Sequence, residues 1–453
     1  MSSFANLARR PGTAVAAAVA IAWLLTTLSP VRAMGNDTIA GTLGGVVYHC
    51  GGGYDLRNID WIDRAAATGR LPYFAQPGAD GELIAPYGPL PNLLGSLVVF
   101  DLGPNDVVGL DALRHRVRLI SSLLVALCAG LLAWAARPHQ QRWRAAATGL
   151  VAAASFAGCA TLGQALWQQT ISLVPLVGGF ALLVRRADHP RLAALAPAAL
   201  LAAAMIRPTI GPLALGLGVW WAVGTGRSWR TWAVACAAAI VVVLPLVAWN
   251  VHHQGSVLPL GQWRSNTSNT SASVFRFSWS QLAEGVPGLL ISPARGLAWF
   301  APIALVGIAR ALRARSTRIL GVALVAQFAT MAVFYMWWGG FCFGPRFLTE
   351  VAWLATWAAL ATPVGSKAAR IAVVACAGIT VVVGLLGLAR EPMKWEVAHN
   401  VDADRSALWQ LDDSTLAALI TNRYGELSLS EGPRGLYRVC VGTRVELIPG
   451  DAH

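Results

Sequence analysis

Apolar runs of roughly 15 to 20 residues recur about every 25 to 30 residues, from 12–32 through 371–388, the length a helix needs to cross a hydrocarbon core about 30 Å thick. Short arginine-bearing loops separate them: Arg185-Arg186…Arg191, Arg227…Arg230, Arg310…Arg318 and Lys367…Arg370. Basic short loops mark the cytoplasmic side of a bilayer. Placing all four there pairs off the intervening helices, with outward turns at Arg207-Pro208, at the polar segment 251–295 and in the loop between 337 and 350. The pattern predicts an all-α polytopic membrane protein of about eleven transmembrane helices, N-terminus inside and C-terminus outside.

In that scheme residues 1–388 form the transmembrane domain and 389–453 a small extracytoplasmic C-terminal region. Within the former, 33–118 is a first extracytoplasmic loop and 251–295 a second. The proline-rich apolar stretch 87–100 is too short to cross and is expected to lie in the surface or re-enter. Arg114, Arg116 and Arg118 then fall outside, against the usual bias. The tail carries a candidate strand at Leu436–Val441 and is too short for a large core of its own, so it is expected to pack onto the membrane domain.

Composition agrees with the spans. The chain of 453 residues is 56% hydrophobic and 13% charged, far from the quarter charged that is usual in soluble domains. Its net charge of +13 sits in the short loops and reads as topology. No basic stripe with interleaved aromatics is present, so no nucleic-acid partner is expected. The seven cysteines show no metal or redox spacing. Cys50, Cys342 and Cys440 fall in outer segments, where a disulfide can form, but their spacing selects no pair.

Chemistry concentrates on the outer side. The stretch Trp337-Trp338-Gly339-Gly340-Phe341-Cys342-Phe343-Gly344-Pro345-Arg346-Phe347-Leu348-Thr349-Glu350 breaks regular helix between two apolar runs and sets a permanent cation there. Guanidinium suits phosphate or carboxylate, and glycines let backbone approach such a ligand; the alternative is an interfacial anchor of Trp and snorkelling Arg. Arg295-Gly296-Leu297-Ala298-Trp299 repeats the theme, and Arg207-Pro208 adds a third outer arginine. Together the three arginines are enough to neutralise a phosphate at the membrane surface. Gln164 and Trp167 bring an amide and an indole to the outer end of another span, where buried polar groups need partners.

Asp37, just beyond the first span, sits at a low-dielectric boundary where a carboxylate can act as a base; it is equally suited to capping a short helix. Asp60 belongs to a mixed-charge run, Asp55 to Arg64, of the kind that forms a solvated face. His252-His253 adjoin no carboxylate in sequence and read as loop residues.

One order of motifs ties these together: Asn36-Asp37-Thr38; Leu71-Pro72-Tyr73-Phe74; Gly81-Glu82-Leu83-Ile84-Ala85-Pro86-Tyr87-Gly88-Pro89-Leu90-Pro91; Gly163-Gln164-Ala165-Leu166-Trp167-Gln168-Gln169; Arg295-Gly296-Leu297; and the Gly-Pro-Arg loop ending in Glu350. It resembles bacterial membrane proteins of the GT-C glycosyltransferase superfamily, in the group of protein-mannosyltransferases and aminoarabinose transferases, from Asp37 to about Glu350. The resemblance implies a GT-C fold in a bacterial plasma membrane and transfer of a sugar from a polyprenyl-phosphate donor to a glycan, lipid or protein hydroxyl of the envelope. Asp37 would be the catalytic base, and Arg346, with Arg295, would match the cations that hold the donor phosphate; Arg207, Trp338, Glu350, Gln164, Trp167 and Asp60 are added as substrate-binding candidates from their own positions. Superfamily members often carry two adjacent acids in this loop. Here Asn36 and Thr38 flank Asp37 and no D-x-D pattern exists, so no cofactor is expected and a divalent metal stays open. The competing reading is a transporter or flippase for a lipid-linked or phosphorylated solute. Against it, the polar material lies almost wholly on one face, whereas alternating access places polar groups near midplane.

Overall fold

The computed structural model describes residues 12–29, 37–72, 74–224, 228–259, 277–426 and 436–448. The fold is mostly helical. Three helices, Leu110–Ala136, Trp229–Gln254 and Lys367–Ala389, are long and apolar enough to cross a membrane by length and composition, and shorter apolar helices surround them. The helix Trp229–Gln254 is the clearest case: Trp232, Ile240, Val241 and Leu244 all stand exposed on it, and apolar surface of that extent is stable only against lipid or a partner.

The helix ends sort into two sets. At one end Arg185 donates to the Trp134 carbonyl (3.3 Å), the Trp221 indole to Ala193 (2.8 Å) and Arg310 to Thr362 (2.6 Å), so loops rich in arginine converge there. At the other end the Ser29 hydroxyl donates to Leu388 (2.7 Å), Ser122 to Gly163 (3.2 Å) and Gln168 to Ile206 (2.5 Å). The segments named at this second end carry the candidate site.

A cap covers the second end. The short helices Asp37–His49, Asp60–Ala67 and Leu90–Ser96 pack with a small sheet around Leu43, Val47, Leu56, Ile59, Ile62 and Val99. Strand β1 (Gln76–Pro77) pairs antiparallel with β2 (Leu83–Ile84). Strand β3 (Val107–Gly109) pairs with β4 (Leu436–Val441), which pairs in turn with β5 (Arg444–Ile448), all antiparallel. Tyr437, Val439 and Val445 of the tail are fully buried in the same core. The Cys50–Cys440 disulfide, across 390 residues of sequence, locks the two pieces. The first loop and the tail, expected as separate extracytoplasmic pieces, thus share one sheet; a six-residue strand such as β4 cannot bury its apolar face alone, and β3 supplies a paired edge.

Two element boundaries move. The first loop, expected to run to 118, gives way at Leu110 to the helix Leu110–Ala136, so Arg114, Arg116 and Arg118 lie on its first turns. Arg116 pairs with Asp101, and Arg114 and Arg118 are buried. The stretch 87–100 forms only the seven-residue helix Leu90–Ser96, shorter than a crossing requires. That helix meets Asp37–His49 through glycines. A Cβ added at Gly45 would lie 2.7 Å from the Gly95 carbonyl carbon, and one at Gly41 would lie 3.1 Å from Pro91 Cβ and 3.9 Å from the Leu166 carbonyl oxygen. Backbone-to-backbone packing of this closeness is open only to glycine.

Replacing Cys50 by Ser is expected to lower the stability of the protein by about 2–5 kcal/mol, because the bridge closes a very long loop in the unfolded chain. Thermal unfolding under non-reducing conditions measures this. A thiol reagent should then label Cys440 in the variant and not in the wild type.

Candidate functional site

Arg346 is the hub of the second end. It opens the short 3-10 turn Arg346–Leu348 after Gly344, whose φ of +66° only glycine adopts without strain. The side chain is 8% exposed. Its Nη2 donates to the Gly339 carbonyl (2.9 Å), and the guanidinium lies 4.7 Å from the Trp167 ring centroid and 5.5 Å from that of Phe347. Stacking on Trp holds a desolvated guanidinium by cation–π attraction of about 2 kcal/mol. Trp167 is itself pinned, its indole N–H donating to the Thr161 carbonyl (3.1 Å).

Arg207 ends the helix Ala196–Ile206 and reaches the same place. Its guanidinium lies 5.8 Å from the Phe347 centroid and forms a buried ion pair with Glu350. Glu350 also accepts from the Thr349 hydroxyl (3.0 Å). Gln164 donates to the Cys159 carbonyl (2.6 Å) and accepts from Arg118 (3.5 Å). Arg346, Arg207, Glu350, Trp167 and Gln164 are therefore parts of one buried layer.

Arg295 and Trp338 adjoin it. Arg295 is fully buried and donates to the carbonyls of Trp338 (2.8 Å), Ala294 (2.9 Å) and Gly340 (3.1 Å) and to both oxygens of Glu396 (2.7 Å each). Burial drives the Glu396 carboxyl up to about 7 against the pull of Arg295. Trp338 is 7% exposed, with its indole donating to Asp402 (2.7 Å).

Of the three arginines expected to neutralise one phosphate, two make buried ion pairs. Arg207 and Arg295 are each matched by a carboxylate, because a guanidinium buried without one costs several kcal/mol. Asp60 pairs with Arg64 (2.5 Å) on the solvent side of the cap and is not brought to the cluster. Position 37 begins the helix Asp37–His49, while the Asp37 side chain lies outside the described residues. No group of three or more His, Cys, Asp or Glu placed to hold a metal ion is found among the described residues.

Three positions escaped sequence reasoning. Arg118, 6% exposed, donates to the carbonyls of Ser29 (2.9 Å) and Thr27 (3.1 Å), closing the helix Thr13–Thr27 as a C-terminal cation does. Glu396 gave no local signal. His253 lies in the last turn of Trp229–Gln254, not in a loop, and contacts Glu82 of the cap.

No protein-family model matches the chain, and no curated protein matches it. Two solved structures are similar to it. One is the apo Archaeoglobus fulgidus oligosaccharyltransferase, at 13% identity and a TM-score of 0.40. The other is the A. fulgidus archaeal oligosaccharyltransferase AglB in complex with an inhibitory peptide and a dolichol-phosphate, at 12% identity and the same TM-score. Each match covers 88% of this chain, which spans only 60% and 59% of theirs.

The Arg207–Glu350 pair gives a direct prediction. Arg207→Met or Glu350→Leu alone should destabilise by about 3–5 kcal/mol, since each strands a buried charge, while the double variant should recover most of that loss. A double-mutant cycle on detergent-purified protein, read by thermal unfolding, checks it.

Proposed function

We propose that the chain is a GT-C-type membrane glycosyltransferase that moves a sugar from a polyprenyl-phosphate donor to an acceptor hydroxyl on the extracytoplasmic face of a bacterial plasma membrane. The observation that carries this reading is the meeting of two segments. Gly41 abuts the Leu166 carbonyl, beside the Trp167 ring on which Arg346 stacks. Position 37 lies four residues before Gly41, about one helical turn or 6 Å along the axis and on the same helix face. A base on the helix that meets the Trp167 segment and an anion ligand stacked on Trp167 suit a sugar and its phosphate.

In this mechanism Asp37 takes the proton of the acceptor hydroxyl as its oxygen bonds to the anomeric carbon, and the bond from that carbon to the phosphate oxygen breaks. The phosphate leaves with the bonding electrons. Arg346 compensates the charge that grows on it, in a layer where low dielectric strengthens the attraction. The Trp167 face and the Gly339 carbonyl orient the guanidinium beforehand, and Arg207 with Glu350 fixes the turn that carries it. About eleven crossings, with the arginine-rich loops inside, put the cap and this site outside. A transporter for the same ligand would use Arg346 equally but would need no base at position 37.

Asp37→Asn is expected to lower transfer by about 10²–10⁴ while donor binding is kept, because the amide preserves shape and cannot accept the proton. Reconstituted transfer from lipid-phosphate sugars measures the first and ligand binding the second; an Asn variant with full activity eliminates Asp37 as the base. Arg346→Lys keeps the charge but loses the planar fork and should weaken donor binding by about 1–3 kcal/mol. Equal affinities would leave Arg346 an interfacial anchor. For topology, a single cysteine at exposed Thr443 should react with an impermeant reagent in intact cells, and one at exposed Arg315 only after permeabilisation.

A further inference from the structure

We propose that residues 396–408 of the C-terminal region are part of the donor site, with Glu396 a positioning residue that acts through Arg295 on the turn holding Arg346. This rests on the reading of Arg346 as the phosphate ligand. Three successive carbonyls of that turn are taken by two arginines: Trp338 and Gly340 by Arg295 (2.8 and 3.1 Å) and Gly339, between them, by Arg346 (2.9 Å). The φ values of Gly339 and Gly340, +84° and +64°, give this backbone no intrinsic preference for one shape. The arginines supply it. Moving Arg295 therefore moves the acceptor that aims Arg346.

The tail holds Arg295 and the turn from the far side. Glu396 engages the Arg295 Nη2 with both oxygens. Asp402 accepts from the Trp338 indole (2.7 Å), and the Arg405 guanidinium lies 5.0 Å from the Trp338 ring centroid while pairing with Glu284 (2.8 Å). Ser292, whose hydroxyl oxygen accepts from the Arg295 backbone N–H (3.2 Å), donates that hydroxyl to the Leu408 carbonyl (2.7 Å). These links run from the tail to Trp338 of the turn, to Arg295, or to the segment 284–292 that leads into Arg295.

The charged and titratable groups facing Glu396 are Arg295, Arg346 and Cys342 from the membrane-side segments and Asp402 from its own. A carboxyl raised to about 7 among them takes up a proton just below neutrality, and Arg295 then loses its counter-charge. Donor affinity should fall with pH over that range. The sign follows from the bound state needing Glu396 ionised.

The test is binding of a polyprenyl-phosphoryl sugar, a phosphodiester that keeps one charge throughout, to the purified full chain between about pH 5.5 and about pH 8. Wild type is expected to lose about tenfold in affinity toward the acid end. Glu396→Gln, a mimic of the protonated form, should bind at the weak level with a flat profile. Asp402→Ala, at an exposed residue, should raise the donor KM about threefold; it serves if Glu396→Gln fails to fold, and an unchanged KM then overturns the role of the tail. A flat wild-type profile, or a Glu396→Gln profile identical to wild type, overturns the role of the tail. If Arg346→Lys binds weakly while Glu396→Gln matches wild type at every pH, only the tail's role falls. If Arg346→Lys binds as wild type does, the donor-site reading itself falls.

Discussion

Among the described residues five arginines are buried, Arg114, Arg118, Arg207, Arg295 and Arg346, all toward the end of the helix bundle that carries the cap. A guanidinium cannot shed its proton and presents five donors in a fixed plane, so each has to find acceptors or be expelled. The local architecture follows from how that demand is met. Arg118 takes the carbonyls that end the first helix, Arg295 and Arg346 take those of a glycine turn, and Glu350 and Glu396 supply the two carboxylates. Irregular backbone is tolerated at this depth because its exposed carbonyls are what the arginines require.

Rigidity is distributed unevenly as a result. Glycine-to-glycine packing fixes the helix that starts at position 37 against Leu90–Ser96, and Gly41 of the same helix meets the Leu166 carbonyl, so this helix is placed by steric contact. The candidate anion ligand is placed by polar contact instead, through a turn with little stiffness of its own. One half of the site depends on shape and the other on charge balance.

Much of the bundle was legible in the sequence because its cause is local: a run of apolar residues reports its own length, and arginine-rich loops report the end they share. The strand at Leu436–Val441 and the break at Gly344-Pro345-Arg346 were legible for the same reason. Partnerships were not. A buried arginine announces that it needs an acceptor but not which one, and Arg207 finds Glu350 across 143 residues and Arg295 finds Glu396 across 101. His253 and Cys50 show the same limit, each meeting a partner that no spacing rule could select. The start of the helix at Leu110 was missed because its first turns carry charges that composition assigns to a loop, whereas Asp101 and the carbonyls of Thr27 and Ser29 satisfy two of them.

The sheet that joins β3 to β4 also sets an order of events. Leu43, Val47, Ile59 and Val108 are made well before the strands that finish covering them, which hold Tyr437 to Val445. While every intervening helix is inserted, the half-built cap carries open apolar surface and an unpaired strand edge, the features that invite misassociation in slow, non-local folds. The maturing chain therefore passes through a stage in which its membrane part is threaded but its lid core is unsealed. Closure of the ring between residues 50 and 440 must wait until both cysteines have been made, and it is available only where thiols can be oxidised.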